Sequence, residues 1–199
     1  MERINIVGLE QERRIMEIAV TGNHGAMLIG RKNSGKRLMM REFLNIIGYP
    51  DSVLTHASNK YVGPDDSCLV FDPAYCHNGS VLANKRHGRV GWKDVAGNPK
   101  QESMIHVAKR VFLARYFLYE KPFDYDAIRK KSDGVTLKLI EEAYDRLSLN
   151  SGDVVDLMNV AYTIFILSRE KKLGVGHVAE AIAYCPQKLD HEHEKRNDP

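Results

Sequence analysis

The sequence predicts an α/β fold in which a short core is built around a phosphate-binding loop and followed by an all-helical C-terminal segment. Three observations predict it. An apolar run at 26–29 leads into Gly30-Arg31-Lys32-Asn33-Ser34-Gly35-Lys36-Arg37 and then into a helical pattern over 38–47. A second continuous apolar run at 67–71 reads as a buried strand and ends in Asp72. Beyond Asp133-Gly134 every apolar repeat has helical spacing, with no strand candidate.

The loop follows the pattern G-x-x-x-x-G-K-[ST], in which each fixed place has a physical reason. Glycines let successive amides turn toward one anion, and the lysine reaches the outer phosphates. Gly30, Gly35 and Lys36 fit, and strand-then-helix is the context the motif requires. The last place, where a hydroxyl would hold Mg²⁺, carries Arg37. The anion cradle is kept and the usual metal ligand is missing.

A chain of 199 residues with 43% hydrophobic content can bury a core of its own. No run reaches the ~20 apolar residues that span a bilayer, and the N-terminus has no signal-like apolar stretch, so no membrane role and a cytoplasmic location are expected. A net charge of +3 permits contact with nucleic acid but falls short of the asymmetry that would argue for it. Three widely spaced cysteines, Cys68, Cys76 and Cys185, do not form a disulfide framework. Cys68 is expected in the core, and Cys76-His77 has no second pair at a zinc-site spacing.

In chain order, residues 9–20 form an amphipathic helix with Ile15, Ile18 and Ala19 on one face, stopped by Gly22 and Asn23-His24. After the loop, Met39, Phe43, Ile46 and Ile47 recur at helical spacing up to Gly48-Tyr49-Pro50. Residues 52–55 read as a short strand before the stronger one at 67–71. Asp72 has two readings: the acid that holds Mg²⁺ at the end of a parallel strand beside a phosphate loop, or the start of the Asp72-Pro73 turn. Residues 77–99 read as loops with one edge strand at 89–92. Their basic cluster, Lys85, Arg86, His87 and Arg89, reads as a solvated surface or a phosphate contact.

A long amphipathic helix at 102–119 ends at Lys121-Pro122, and a linker follows to Asp133-Gly134. Leu137, Ile140, Tyr144 and Leu147 line the next helix. The one beginning at Asp153 is apolar nearly all round and belongs at a bundle centre, and a last helix covers 176–184. Residues 186–199 form a charged tail in which His191 and His193 flank Glu192. The division expected is a nucleotide-binding core at 1–120, a helical domain at 121–185 and the tail.

Two separated segments resemble one family. Ile6-Val7-Gly8-Leu9-Glu10 through Glu17-Ile18-Ala19, then Gly22, His24, Leu28-Ile29-Gly30 and Ser34-Gly35-Lys36, resembles the magnesium-chelatase-like AAA+ ATPases, including the chelatase ATPase subunit and competence-associated helicase relatives. Leu139 to Leu149, Val160-Ala161-Tyr162-Thr163-Ile164 and Gly176-His177-Val178-Ala179-Glu180-Ala181-Ile182 resemble its C-terminal helical domain, and the helix at 104–119 resembles its Arg-rich connecting helix. The resemblance implies a shortened αβα core with a helical lid over ATP or ADP, Mg²⁺ as metal, Ile6 and Val7 at the base, and a homo-oligomer or AAA+ ring partner. It adds a DNA role by analogy with the helicase relatives.

The departures from that family bear on catalysis. Arg37 replaces the metal-binding hydroxyl, and Pro73 stands where AAA+ enzymes carry a water-activating glutamate. The family's arginine places align with Gly152, Asp156, Asn159 and Tyr162, and the interval from Lys36 to Asp72 is strongly shortened. Residues 69–79 align either with Walker B or with the sensor-1 stretch. The implied protein binds nucleotide and hydrolyses it slowly or not at all. Two other readings are a non-catalytic interaction module on the same scaffold and a DNA-associated factor.

Overall fold

In a computed structural model the described residues are 10–50, 53–56, 66–71, 81–85 and 102–185. Helix α1 (Glu10–Gly22) precedes strand β1 (Gly25–Arg31) and helix α2 (Lys36–Ile47). Strands β2 (Leu54–His56), β3 (Asp66–Phe71) and β4 (Val81–Lys85) complete the sheet. Five helices follow: α3 (Met104–Glu120), α4 (Tyr125–Lys131), α5 (Gly134–Arg146), α6 (Ser151–Ser168) and α7 (Val175–Ala183). The α/β class is met, and helix α2 begins two residues earlier than the apolar spacing alone marks.

The sheet has the order β2-β3-β1-β4 and is mixed. β1 runs parallel to β4 and antiparallel to β3, and β3 runs antiparallel to β2. This corrects the expectation of a parallel strand at 67–71. After the α2 crossover β2 takes the direction of β1, and β3 then turns back along β2, so it must oppose β1. Register places Ala26 opposite Phe71 and Leu28 opposite Leu69, and all four side chains are buried. With Met39, Met40, Phe43 and Leu44 of α2 they form the core beside the sheet.

Two elements escaped the sequence reading. β4 falls in the stretch read as loops, where the run Val81-Leu82-Ala83 is short and flanked by Gly, Asn, Lys and Arg. Helix α4 falls in the expected linker: Asp124 caps it by accepting from the Ala127 amide at 3.0 Å, and Arg129, Lys130 and Lys131 complement its C-terminal dipole. The strand candidate at 89–92 and the tail at 186–199 lie outside the described residues.

One cluster of buried apolar side chains runs from Ile15 on α1 to Ala181 on α7, so sheet and helical segment share a core. Helix α6, apolar nearly all round as read, packs on α1, α3, α4 and α7. A capping box opens it, with Asn150 accepting from the Asp153 amide at 3.0 Å and Asp153 accepting from the Asn150 amide at 2.8 Å. Charge also ties α1 to the later helices. Glu17, 5% exposed, accepts from Arg14 at 3.0 Å and Arg110 at 2.5 Å, while Arg14 donates to Glu180 at 2.7 Å. Glu102 and Glu17 together hold the Arg110 guanidinium above its ordinary range, and that same Arg110 keeps Glu102 below the usual carboxylate range.

Candidate functional site

The loop after β1 closes on itself. Ser34 N–H donates to Arg31 O at 3.3 Å, and two residues take the left-handed backbone, Asn33 at φ 60° and Gly35 at φ 84°. Asparagine tolerates that conformation and glycine favours it, which is the physical content of both residues here. Gly35 is also the N-cap of α2, with no side-chain cap. The first backbone bond of the helix is Met39 N–H to Gly35 O at 3.0 Å, so the amides of Lys36, Arg37 and Leu38 precede the hydrogen-bonded ladder. No acid occupies the first turn of α2.

Lys36 is only 8% exposed, and its ammonium sits inside the loop. It donates to Gly30 O at 2.8 Å, Arg31 O at 2.7 Å and Ser34 Oγ at 3.1 Å. Arg31, Lys32, Asn33 and Arg37 are exposed around it, and Gly30 and Ser34 are half-buried. The structure thus brings Gly30, Arg31, Lys32, Asn33, Ser34, Gly35, Lys36 and Arg37 into one turn at a helix N-terminus. Four cations and a helix dipole of the same sign meet there, a field that attracts an anion.

Metal chemistry fits the described residues poorly. Arg37 offers no lone pair where a hydroxyl ligand is needed, and no group of three His, Cys, Asp or Glu side chains suited to a metal occurs among the described residues. Asp72 lies outside the described residues, as do Cys76, His77, Arg86, His87, Arg89, His191 and His193. The strand leading to Asp72 ends at Phe71, paired with Ala26, at the opposite end of β1 from the loop. The acid that register brings to the loop end is Asp66, paired with Arg31. Only the direction of β3 reveals this, and nothing in the run Ser67–Phe71 states its direction.

Other candidates lie outside this loop or outside the described residues. Cys68 is 3% exposed on β3 opposite Ile29, and burial pushes its thiol up against the opposing pull of Lys36. Gly152, Asp156, Asn159 and Tyr162 all lie on α6. Tyr162 donates to Lys121 O at 3.0 Å and packs in tilted contact with Phe123 and Phe165, ring centroids 6.0 Å away on each. Burial raises the Asp156 carboxyl, and Asp153 adds to that shift. Lys85 is the last residue of β4, and Ile6 and Val7 lie outside the described residues.

Just before β1, His24 does more than stop a helix. His24, 1% exposed, has its Nε2 2.9 Å from Thr163 Oγ1 on α6, and Thr163 in turn donates to Asn159 O at 3.1 Å. With its proton committed there, Thr163 accepts from a neutral His24 carrying hydrogen on Nε2. Burial holds that imidazole down to about 4. Gly22 makes the approach feasible: a Cβ there would lie 2.1 Å from His24 Nε2 and 2.5 Å from Thr163 Oγ1.

A mixed sheet packed with helices, with a glycine-bounded loop closing onto a helix N-terminus, defines an α/β protein. The family model described as magnesium chelatase, subunit ChlI, matches residues 3–60, a segment that includes α1, β1, the loop and α2. This N-terminal segment is magnesium-chelatase-like, and the matched residues stop before the helices α3 to α7. No curated protein and no solved structure matches the chain. No helix among the described residues is long and apolar enough to cross a membrane.

Proposed function

We propose that this protein binds the phosphates of ATP or ADP at residues 30–37 and turns them over slowly or not at all. The observation that carries the reading is the Lys36 ammonium, held by three loop oxygens at the uncapped N-terminus of α2. Supporting it are the exposed cations Arg31, Lys32 and Arg37 on the same turn and the magnesium-chelatase-like match over the segment that contains them. Lysine has three donors, all used within the loop, so a phosphate oxygen must take the place of one acceptor. Ser34 Oγ, the longest of the three contacts, is the one exchanged.

In this reading Arg37 neutralises phosphate charge where a hydroxyl would otherwise hold Mg²⁺, so binding does not need the metal. Slow turnover follows from the residue types at the family's arginine places, since an arginine acting on the developing charge is worth about three to five decades in rate. Residues 121–185 serve as the helical lid of the same scaffold. A second reading, a non-catalytic interaction module, draws support from the exposed apolar face of α3.

The test is titration of a fluorescent ATP analogue into the wild type and Lys36→Met, each with Mg²⁺ and with EDTA. The wild type is expected to bind under both conditions within about threefold, and Lys36→Met to lose about 100-fold in affinity, the scale of a charge-assisted contact. Absence of binding to the wild type overturns the site. Strict dependence on Mg²⁺ overturns the role given to Arg37.

A further inference from the structure

Helix α3 is apolar on two opposite sides. Val107, Val111 and Ala114 face the core and are at most 5% exposed. At 100° per residue, Ile105, Lys109, Phe112, Leu113, Tyr116 and Glu120 fall on the other side within an arc of about 100°. Ile105 is 54% exposed, Phe112 56%, Leu113 54% and Tyr116 64%, with Phe117 at 52% flanking them. A helix apolar all round is ordinarily buried all round, and one contiguous apolar face of this size marks a contact surface.

We propose that this face of α3 is a two-fold interface with a second copy of the same chain, the two α3 helices running antiparallel. The sequence of the face is complementary to itself in that direction. Setting Lys109 against Glu120 of the second copy brings Leu113 against its Tyr116, with Phe112 and Phe117 on the two flanks of the contact, and the two-fold repeats each pair. The apolar centre is thereby closed at both ends by opposite charges. In the parallel direction Lys109 and Glu120 would each meet their own like. The exposed apolar side chains offer on the order of 600 Å², approaching the roughly 800 Å² that one partner contributes to a standard stable interface. An isologous contact of this kind closes after two copies.

Sedimentation velocity of the full chain over a concentration series tests it, with circular dichroism to confirm that each variant keeps its helix content. The wild type is expected to be a dimer. Leu113→Asp, at an exposed position that leaves the fold intact, is expected to weaken the dimer about 100-fold. Lys109→Glu and Glu120→Lys are each expected to weaken it about 10-fold, because each places like charges in contact twice. The double variant restores the pairs with reversed sign and is expected to return within about threefold of the wild type. A wild type that is monomeric at every concentration, because something else covers the face or nothing does, overturns the proposal. So does a double variant no tighter than either single one, or an assembly larger than two.

Discussion

The two ends of β1 each bury one ionisable nitrogen base and treat it in opposite ways. At the loop end Lys36 is satisfied by residues two to six positions away, and cations surround it. At the other end His24 is satisfied by Thr163, 139 positions away, and burial holds its imidazole neutral. A local set of acceptors makes a turn that keeps its shape and its field when the rest of the chain varies. A distant partner joins sheet to helix and leaves no charge for a ligand. Substitutions at the start of β1 should therefore read out as stability, and those at the loop as binding.

The sharpest way to break that contrast is Gly22→Val. The first added carbon would meet the buried His24 ring and Thr163 at well under van der Waals distance, so the α1–α6 joint must open. A loss of about 4 kcal/mol is expected, combining overpacking with a broken buried hydrogen bond. Urea unfolding measures it. A change below about 1 kcal/mol would mean that the joint is not tight.

His24 supplies the next effect, through pH. The folded imidazole titrates near 4 and the unfolded one near 6.5, so below 6.5 the unfolded state binds more protons. Stability from this group is complete above pH 6.5 and is lost as pH falls toward 4, by about 3 kcal/mol. Carboxylates titrate in the same window, so the comparison is with His24→Gln, which keeps a donor for Thr163. The wild-type stability curve should fall more steeply than the variant's between those two pH values. Parallel curves would show that His24 is solvated in the folded protein.

The same contrast explains what could be read in the sequence. Gly30, Gly35 and Lys36 announce their turn because the hydrogen bonds that Lys36 donates within it are local, and the Ile15, Ile18 and Ala19 stripe announces α1 because its spacing is local too. The direction of β3 was not legible, since a run such as Cys68-Leu69-Val70-Phe71 is equally apolar read either way along the sheet. That one ambiguity decides which end of β3 lies beside the loop, and the register puts its first residue there, Asp66 beside Arg31. His24 looked like part of a helix stop because its partner lies on α6. The strand β4 had too few apolar residues to stand out among glycines and basic side chains.

At the loop end the effects on stability are smaller. Lys36→Met keeps the aliphatic stem and deletes an ammonium that three oxygens receive, which should cost about 2 kcal/mol while the affinity for nucleotide falls far more. Equal losses in both would mean that the lysine only holds the loop together.

Ser34→Ala gives the smallest change and the finest test. It removes the longest of the three contacts, leaving Lys36 with the carbonyls of Gly30 and Arg31. Stability should fall by about 1 kcal/mol. Affinity should hold or rise by about twofold, because a phosphate oxygen taking that place on the ammonium no longer has to displace a hydroxyl. Thermal melts without nucleotide and the same fluorescence titration separate the two quantities. A tenfold fall in affinity would instead make the Ser34 hydroxyl a phosphate ligand in its own right, and the acceptor that Lys36 surrenders would then be a backbone carbonyl, with the turn itself moving on binding.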